Sequence, residues 1–354
     1  MTRASLRSIR TVDYHTAGEP FRIVVEDLPE IPGATVAERR VAAVSDAGGI
    51  DLVRRFLCNE PRGHADMYGG FIVPPDDDGA DLGVLFWHKD GFSTACGHGT
   101  IALGVWAVET GLVASDPDGT TPVTIDVPSG RVVALVERAA GRVRRATFRN
   151  VPSHVIARDV PVTVDGRSVS AELSFSGAIY ASVPASAFGL DVTPEHYGEL
   201  IAAGRAVKWA LNDSTLARHA ADDRLSGVYG TILYDDLGRT PDGPHQRNVT
   251  IFADGEVDRS PCGSGTGARV ALLADDGTLG DGETLTHDSI VGTRFTARFT
   301  RVPTSEAPTD APTGAATDAP RLVVPEVTGL AHRTGEHTFT LDEHDELGTG
   351  FVLR

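Results

Sequence analysis

Two short stretches hold the residue types that do chemistry, "ACGHGTIALG" at 95–104 and "PCGSGTGARVALL" at 261–273. Both read Cys-Gly-x-Gly-Thr and then run into an apolar segment. A cysteine at the mouth of a helix lies beside unpaired backbone N–H groups and the positive end of the helix dipole, which favours its thiolate and moves its pKa from ~8.5 toward ~3.5–7.5. The glycines leave those N–H groups sterically open to an anion. Each motif therefore offers a base beside a carboxylate cradle, and two facing motifs offer a base on each side of one carboxylate. If one thiolate removes the proton from an amino-acid Cα and the opposite thiol returns one to the other face, the centre inverts without a cofactor. Cα–H is a very weak acid, so preorganised N–H groups must stabilise the charge that develops on the carboxylate. His98 and Asp258 are the polar partners nearest the cysteines in sequence, and are assigned to the substrate ammonium or to tuning the thiols.

Other readings of the same residues compete. A single Cys-Gly pair before an apolar helix is ordinarily a packed, inert thiol; packing alone gives no reason to repeat the whole motif. A metal site built from Cys96, His98, Cys262 and either His88 or His64 needs a Cys-x-His spacing tighter than usual for zinc and leaves the glycines unexplained. "GSGTGA" at 263–268 fits the dinucleotide pattern G-x-G-x-x-G/A, but Pro261 and "DRS" stand where that fingerprint needs an apolar strand. A carboxylate-binding module without catalysis does not require two thiols. Cys58, in "RFLCNEPRG", lacks the glycines and is read as structural.

The elements that must position these motifs are mostly strands. "RVVALVE" (131–137), "RFTARFTRV" (294–302) and "HTFTLDE" (337–343) alternate with period two between turn residues, which argues for antiparallel pairing. Helices are expected over "TIALGVWAVETG" and "TGARVALLADDG", each closed by glycine. A third is expected in "TPEHYGELIAAGRAV", with Thr193 as its cap and acid at Glu195 and Glu199. Helices apolar nearly all round are buried ones. The cysteines stand 166 residues apart (262 minus 96), about half of the 354-residue chain, which suits a duplicated domain. The chain also exceeds the roughly 250–300 residues at which single cores stop growing. The expected architecture is α+β, with two pseudo-symmetric halves, each a barrel-like antiparallel sheet around a central helix. The first half spans 1–152 plus 335–354 and carries Cys96; the second spans 153–334 and carries Cys262. "PTSEAPTDAPTGAATDAPR" (303–321) has no apolar residue larger than Ala or Pro and reads as a flexible surface insertion.

A net charge of −17 argues against nucleic acid or anionic lipid as a partner. "MTRASLRSIR" is not followed by the apolar region of a secretory signal, and no run approaches the ~18–20 apolar residues of a membrane helix. Three cysteines make no disulfide framework, so reduced thiols in a cytoplasm are expected.

The two cysteine motifs, with "DYHTAGEPFRIV" (13–24), "NEPRGHADMYGG" (59–70), "DRSPCGSGTGAR" and the ending "LGTGFVLR", resemble the proline racemase family over nearly the whole chain. That family includes proline racemase, 4-hydroxyproline epimerase and trans-3-hydroxy-L-proline dehydratase. The resemblance implies the fold of diaminopimelate epimerase, a proline or hydroxyproline substrate, independence from pyridoxal phosphate and metal, and a homodimer. It implies that Cys96 and Cys262 are the acid–base pair and that His98 and Asp258 lie at the substrate nitrogen. It places Gly97, Gly263 and Ser264 where backbone amides hold the carboxylate, and Tyr68 and Phe252 where aromatic rings wall the substrate. Dehydratases of the family generally carry Ser or Thr at one of the two cysteine positions, so this pair favours racemisation or epimerisation. Against that, Tyr68 stands where proline racemases have Phe, and "RGHADMYG" looks closer to proline racemases and 3-hydroxyproline dehydratases than to 4-hydroxyproline epimerases. The Tyr68 phenol either reaches a substrate ring hydroxyl or is satisfied by solvent or backbone.

Overall fold

A computed structural model describes residues 8–26, 28–46, 49–303 and 321–353. The interior of the Pro/Ala/Thr-rich segment expected as a flexible insertion, 304–320, lies outside the described residues. The chain divides into two compact units, 1–147 with 330–354, and 148–329.

In the first unit a two-residue hairpin joins strands Ser8–Thr16 and Glu19–Val24. Its turn residues, Ala17 and Gly18, both have positive φ (51° and 97°), the twist that a tight antiparallel hairpin needs. Strand Ala331–Thr340 pairs antiparallel with Ser8–Thr16 on its other side. Helices α1 (Val36–Val44) and α2 (Ile50–Cys58) then carry the chain to strand Tyr68–Val73, which lies parallel to Glu19–Val24. Leu82–His88 returns antiparallel to it. Helix α3 (Gly97–Glu109) lies in the next crossover and leads to Gly119–Val127, parallel to Leu82–His88. Gly130–Ala139 pairs antiparallel with Gly119–Val127, and the strand Arg142–Arg149 follows it. Pairing is thus mainly antiparallel, with parallel pairs only at helical crossovers, because a parallel neighbour cannot be reached by a tight turn.

The second unit uses the same devices. Strands His154–Val164, Arg167–Phe175 and Ile179–Pro184 pair antiparallel in sequence. Helix α4 (Tyr197–Asn212) crosses to strand Val228–Thr240, parallel to Ile179–Pro184. Gly243–Phe252 returns antiparallel and also pairs with the short strand Glu256–Asp258. Helix α5 (Gly263–Asp275) then crosses to Leu285–Ser289, parallel to Gly243–Phe252. Arg294–Arg301 and Val323–Gly329 complete the unit.

Helix α3 is buried from Gly97 to Val108 and α5 from Gly263 to Ala274. Each therefore packs at the centre of its own unit: α3 against the strands at 8–16, 19–24, 119–127, 130–139 and 331–340, α5 against those at 154–164, 167–175, 294–301 and 323–329. Burial on all sides explains why neither sequence has a polar stripe. Fully burying each Leu, Ile or Val contributes about 1.5–3 kcal/mol. The third expected helix starts later than its sequence suggests: Pro194–His196 forms a 3₁₀ turn, the α-helix begins at Tyr197, and the Thr193 side chain makes no cap hydrogen bond. Among the described residues no helix is long and apolar enough to cross a membrane.

Burial also creates a pH dependence. His154 starts strand His154–Val164 beneath the Phe175 ring, and burial, aided by His219, holds its pKa down to about 4. The unfolded chain binds a proton here near pH 6.5 whereas the native state resists it, so this stabilisation is complete above that pH and is lost as pH falls toward 4. Its magnitude is on the order of a few kcal/mol. Urea unfolding at pH 7 and pH 4.5 is expected to show a smaller loss of stability for His154→Gln than for the parent chain; parallel losses would place the acid sensitivity elsewhere.

Candidate active site

Cys96 occupies the position just before α3, with extended backbone (φ −156°, ψ 105°), and its Sγ accepts the N–H of Gly99 at 3.2 Å. Cys262 occupies the same position before α5, and its Sγ accepts the N–H of Gly265 at 3.3 Å. Both cysteines thus cap their helices through the third amide. Helix geometry leaves the preceding amides, Gly97 and His98 in one motif and Gly263 and Ser264 in the other, without an intrahelical acceptor. The second glycine of each motif is required by the thiol itself. A Cβ on Gly99 would stand 2.8 Å from Cys96 Sγ and 2.4 Å from the Phe21 ring, and one on Gly265 would stand 2.9 Å from Cys262 Sγ.

Around Cys96 the partners are aromatic. Both ring nitrogens of His98 lie 3.5 Å from Sγ, and the His98 ring meets Tyr68 and Phe21 edge-on, at centroid distances of 5.0 and 5.9 Å. The hairpin adds a further restraint, because the Thr16 hydroxyl donates to the His98 carbonyl at 2.9 Å. Tyr68 is buried and its phenol is hydrogen-bonded to the Ser93 hydroxyl, so its first polar partner is a side chain rather than solvent. Tyr68, Cys96 and His98, all named from sequence, are therefore brought together.

Around Cys262 the partners are polar. Asp258 Oδ1 accepts from the amide and the hydroxyl of Ser260 (2.8 and 2.7 Å), and the Ser260 hydroxyl in turn accepts the Cys262 N–H at 3.1 Å. Ser264 Oγ is buried with no hydrogen-bond partner among the described residues. Phe252 pairs with Glu256 across the Glu256–Asp258 strand, and its ring stacks on Tyr229 at 5.7 Å. Burial pushes the Cys262 pKa well up, and the adjacent Asp258 charge pushes it further; the Gly265 amide and the Thr250 hydroxyl oppose this without reversing it. The thiolate expected from a helix N-terminus is thus not the resting form of Cys262, because desolvation and a like charge outweigh the amide and dipole contributions.

Several residues escaped the sequence reading. Thr250, directly opposite Asp258 in the ladder, is two residues from Phe252 on the same face, so the period of two could have found it. Ser93, Ser260 and Tyr229 gave no sequence signal, because their roles depend on pairing with distant strands or tight turns. Cys58 Sγ donates to the Met67 carbonyl within the core of the first unit, as its sequence context suggests. His64 lies in a loop and its Nδ1 accepts the Asp66 amide.

Removing the Asp258 charge is expected to lower the Cys262 pKa. Iodoacetamide labelling followed residue by residue with mass spectrometry should then show Cys262 reacting faster at pH 7–8 in Asp258→Asn than in the parent, with Cys96 unchanged. An unchanged Cys262 pH profile would mean that desolvation alone sets its protonation.

The sequence matches the proline racemase family over residues 11–352. It is 43% identical to a trans-3-hydroxy-L-proline dehydratase of Azospirillum brasilense, over 98% of this chain and 99% of that one. It is 42% identical to a 3-hydroxyproline 2-epimerase of Burkholderia multivorans, with the same coverage of both chains. The structure superimposes on a hydroxyproline epimerase of Agrobacterium vitis with bound trans-4-hydroxy-L-proline, with a TM-score of 0.85 at 29% identity over 98% of this chain and 96% of that one. A predicted epimerase of Pseudomonas aeruginosa, 16% identical with a TM-score of 0.53 over 94% of this chain and 100% of that one, shares the fold alone. The architecture is that of the diaminopimelate-epimerase-like α+β fold. With near-complete coverage by the family and by relatives above 40% identity, this chain belongs to the proline racemase family, an enzyme family whose named members include epimerases and dehydratases of hydroxyproline.

Proposed function

We propose that this enzyme inverts Cα of proline or a hydroxyproline without a cofactor, using Cys96 and Cys262 as its two acid–base groups. The observation that carries the reading is the matched construction of the two thiols, each capping a buried helix through the third amide at a helix start whose first two amides have no intrahelical acceptor. In this reading the amides of Gly97, Gly263 and Ser264 hold the substrate carboxylate, His98 and Asp258 face its nitrogen, and Tyr68 and Phe252 wall its ring. One sulfur removes the Cα proton, the C–H electron pair passes into the carboxylate, and the opposite S–H delivers a proton to the other face of Cα. The raised pKa of Cys262 makes it the proton donor in the resting form, with Cys96 as the base for that direction. The amides act on the extra negative charge of the planar intermediate, which is where preorganised donors count most.

A second reading is favoured by the relatives named trans-3-hydroxy-L-proline dehydratase at 39–43% identity. In that reaction one cysteine takes the α-proton and the β-hydroxyl leaves as water with a proton from an acid. The presence of cysteine at both positions supports inversion instead.

Proton NMR in D2O with L-proline, trans-4-hydroxy-L-proline and trans-3-hydroxy-L-proline in separate tubes distinguishes the readings. Inversion predicts α-proton exchange with an intact ring and appearance of the opposite configuration at Cα. Loss of the hydroxyl from the 3-hydroxy compound alone makes the protein a dehydratase, and no exchange with any of the three leaves only a carboxylate-binding role. Cys96→Ser and Cys262→Ser are each expected to lower inversion by roughly 10²–10⁴-fold while the circular dichroism spectrum stays unchanged; full activity in either variant would sink the two-base mechanism.

A further inference from the structure

The backbone of Cys262 is unusual. Its φ of 61° with ψ of 113° lies outside the regions open to a residue with a side chain, whereas Cys96 is ordinarily extended. Such a conformation costs on the order of 1–3 kcal/mol and persists only where the surroundings over-determine it. The surroundings here grip the peptide plane between Pro261 and Cys262 from both edges. The Pro261 carbonyl accepts from Asn248 Nδ2 at 2.9 Å and from the Thr266 hydroxyl at 3.0 Å. The Cys262 N–H on the opposite edge donates to Ser260 Oγ at 3.1 Å. Behind the carbonyl, His287 Nδ1 lies 2.8 Å from the Thr266 hydroxyl oxygen.

His287 Nδ1 faces two groups of this cluster, the Thr266 hydroxyl at 2.8 Å and Asn248 Nδ2 at 3.4 Å. The Thr266 hydroxyl has one proton, and the 3.0 Å contact sends it to the Pro261 carbonyl, which has no proton of its own. In that arrangement the His287 contact to Thr266 runs the other way, with an Nδ1–H donating to Thr266 Oγ, and the longer Asn248 Nδ2 contact to Nδ1 is not a hydrogen bond. That tautomer leaves Nε2 a bare acceptor, and Nε2 is buried with no partner among the described residues. Burial keeps the ring neutral, its pKa lowered to about 3. At the Cys96 motif the equivalent hydroxyl, Thr100, donates to the Cys96 carbonyl instead at 2.8 Å. The cluster is therefore peculiar to one of two otherwise matched motifs.

We propose that Asn248, Thr266 and His287 are positioning residues for Cys262: they fix the Pro261–Cys262 peptide plane, hold Cys262 at positive φ and thereby aim its sulfur. The proposal rests on the reading of Cys262 as an acid–base group. None of the three touches the reacting atoms; they act through the carbonyl to which the thiol-bearing residue is joined.

The test uses Thr266→Val, which removes one hydroxyl at nearly constant volume, with His287→Leu and the conservative His287→Asn, whose amide can replace the Nδ1 donor. Three readouts are taken: thermal unfolding, kcat and KM for whichever substrate the parent turns over, and pH-dependent iodoacetamide labelling of each cysteine. Thr266→Val and His287→Leu are expected to lower kcat roughly 10–100-fold, the loss that accompanies a misplacement of about 1 Å, with KM within about twofold. His287→Asn is expected to recover most of that loss. Labelling of Cys262 should change in rate or pH profile in Thr266→Val while Cys96 stays as in the parent. The labelling does not depend on turnover, so it separates failure of this proposal from failure of the acid–base reading, which Cys262→Ser tests. If His287→Leu does not fold, Thr266→Val decides alone. A folded Thr266→Val protein with parental kcat and a parental Cys262 labelling profile overturns the proposal.

Discussion

An α-helix begins with amide N–H groups that nothing in the helix can accept, and in this protein two helices begin inside protein rather than in water. Everything around the candidate site follows from that constraint. A buried N–H without a partner is costly, so each helix start must be completed by something that is not helix. Part of the completion is internal: each cysteine turns its sulfur onto the third amide. Beyond the third amide lie two more without an acceptor inside the helix and the positive end of the dipole, which together favour an anion. A helix that began at the surface would satisfy the same groups with water and would gain no affinity for a carboxylate.

The two motifs are alike in sequence and in capping, yet their surroundings differ in ways that matter for proton transfer. Cys96 lies against the ring of His98, which itself meets the Tyr68 and Phe21 rings, with the His98 backbone tied to the N-terminal hairpin through Thr16. Cys262 lies against Asp258 and Thr250, in a backbone conformation that a network of side chains enforces. A nearby carboxylate makes it harder to remove a proton from a thiol, and burial acts in the same direction. Both effects act on Cys262 and favour its thiol over its thiolate.

Rigid support comes from the packing of each unit around its own helix. In the first unit the buried Arg22–Asp13 pair, at 2.8 Å, also reaches the carbonyls of Leu57 and Arg62, and its guanidinium lies over the Phe339 ring. That arrangement joins the hairpin, α2 and strand Ala331–Thr340 at one point. Losing one partner of such a pair is costly, about 3–5 kcal/mol, because the other charge is left unpaired in the interior. In the second unit Asn150 and Ser153 converge on the Ser176 hydroxyl, and Ser174 donates to the carbonyl of Ala268 within α5. These bonds satisfy polar groups beneath α5 and fix the helix relative to the sheet that surrounds it.

The sequence by itself determined the elements whose signal is local. The repeated Cys-Gly-x-Gly-Thr identifies two helix starts, the unbroken apolar runs after them identify buried helices, and period-two alternation locates strands such as Gly130–Ala139 and Arg294–Arg301. The family likeness is carried by the same local motifs. Tertiary structure alone decided what depends on residues far apart in the chain. Ser93 at the Tyr68 phenol and His287 behind Thr266 are each brought in by strand pairing over 20 or more residues, and no periodicity records such a partner. The protonation of Cys262 is the clearest case. The motif promises a helix-capping thiolate, but the sign of a pKa shift is the balance of desolvation, charge and hydrogen bonds, and burial is a property of the fold that the motif does not contain.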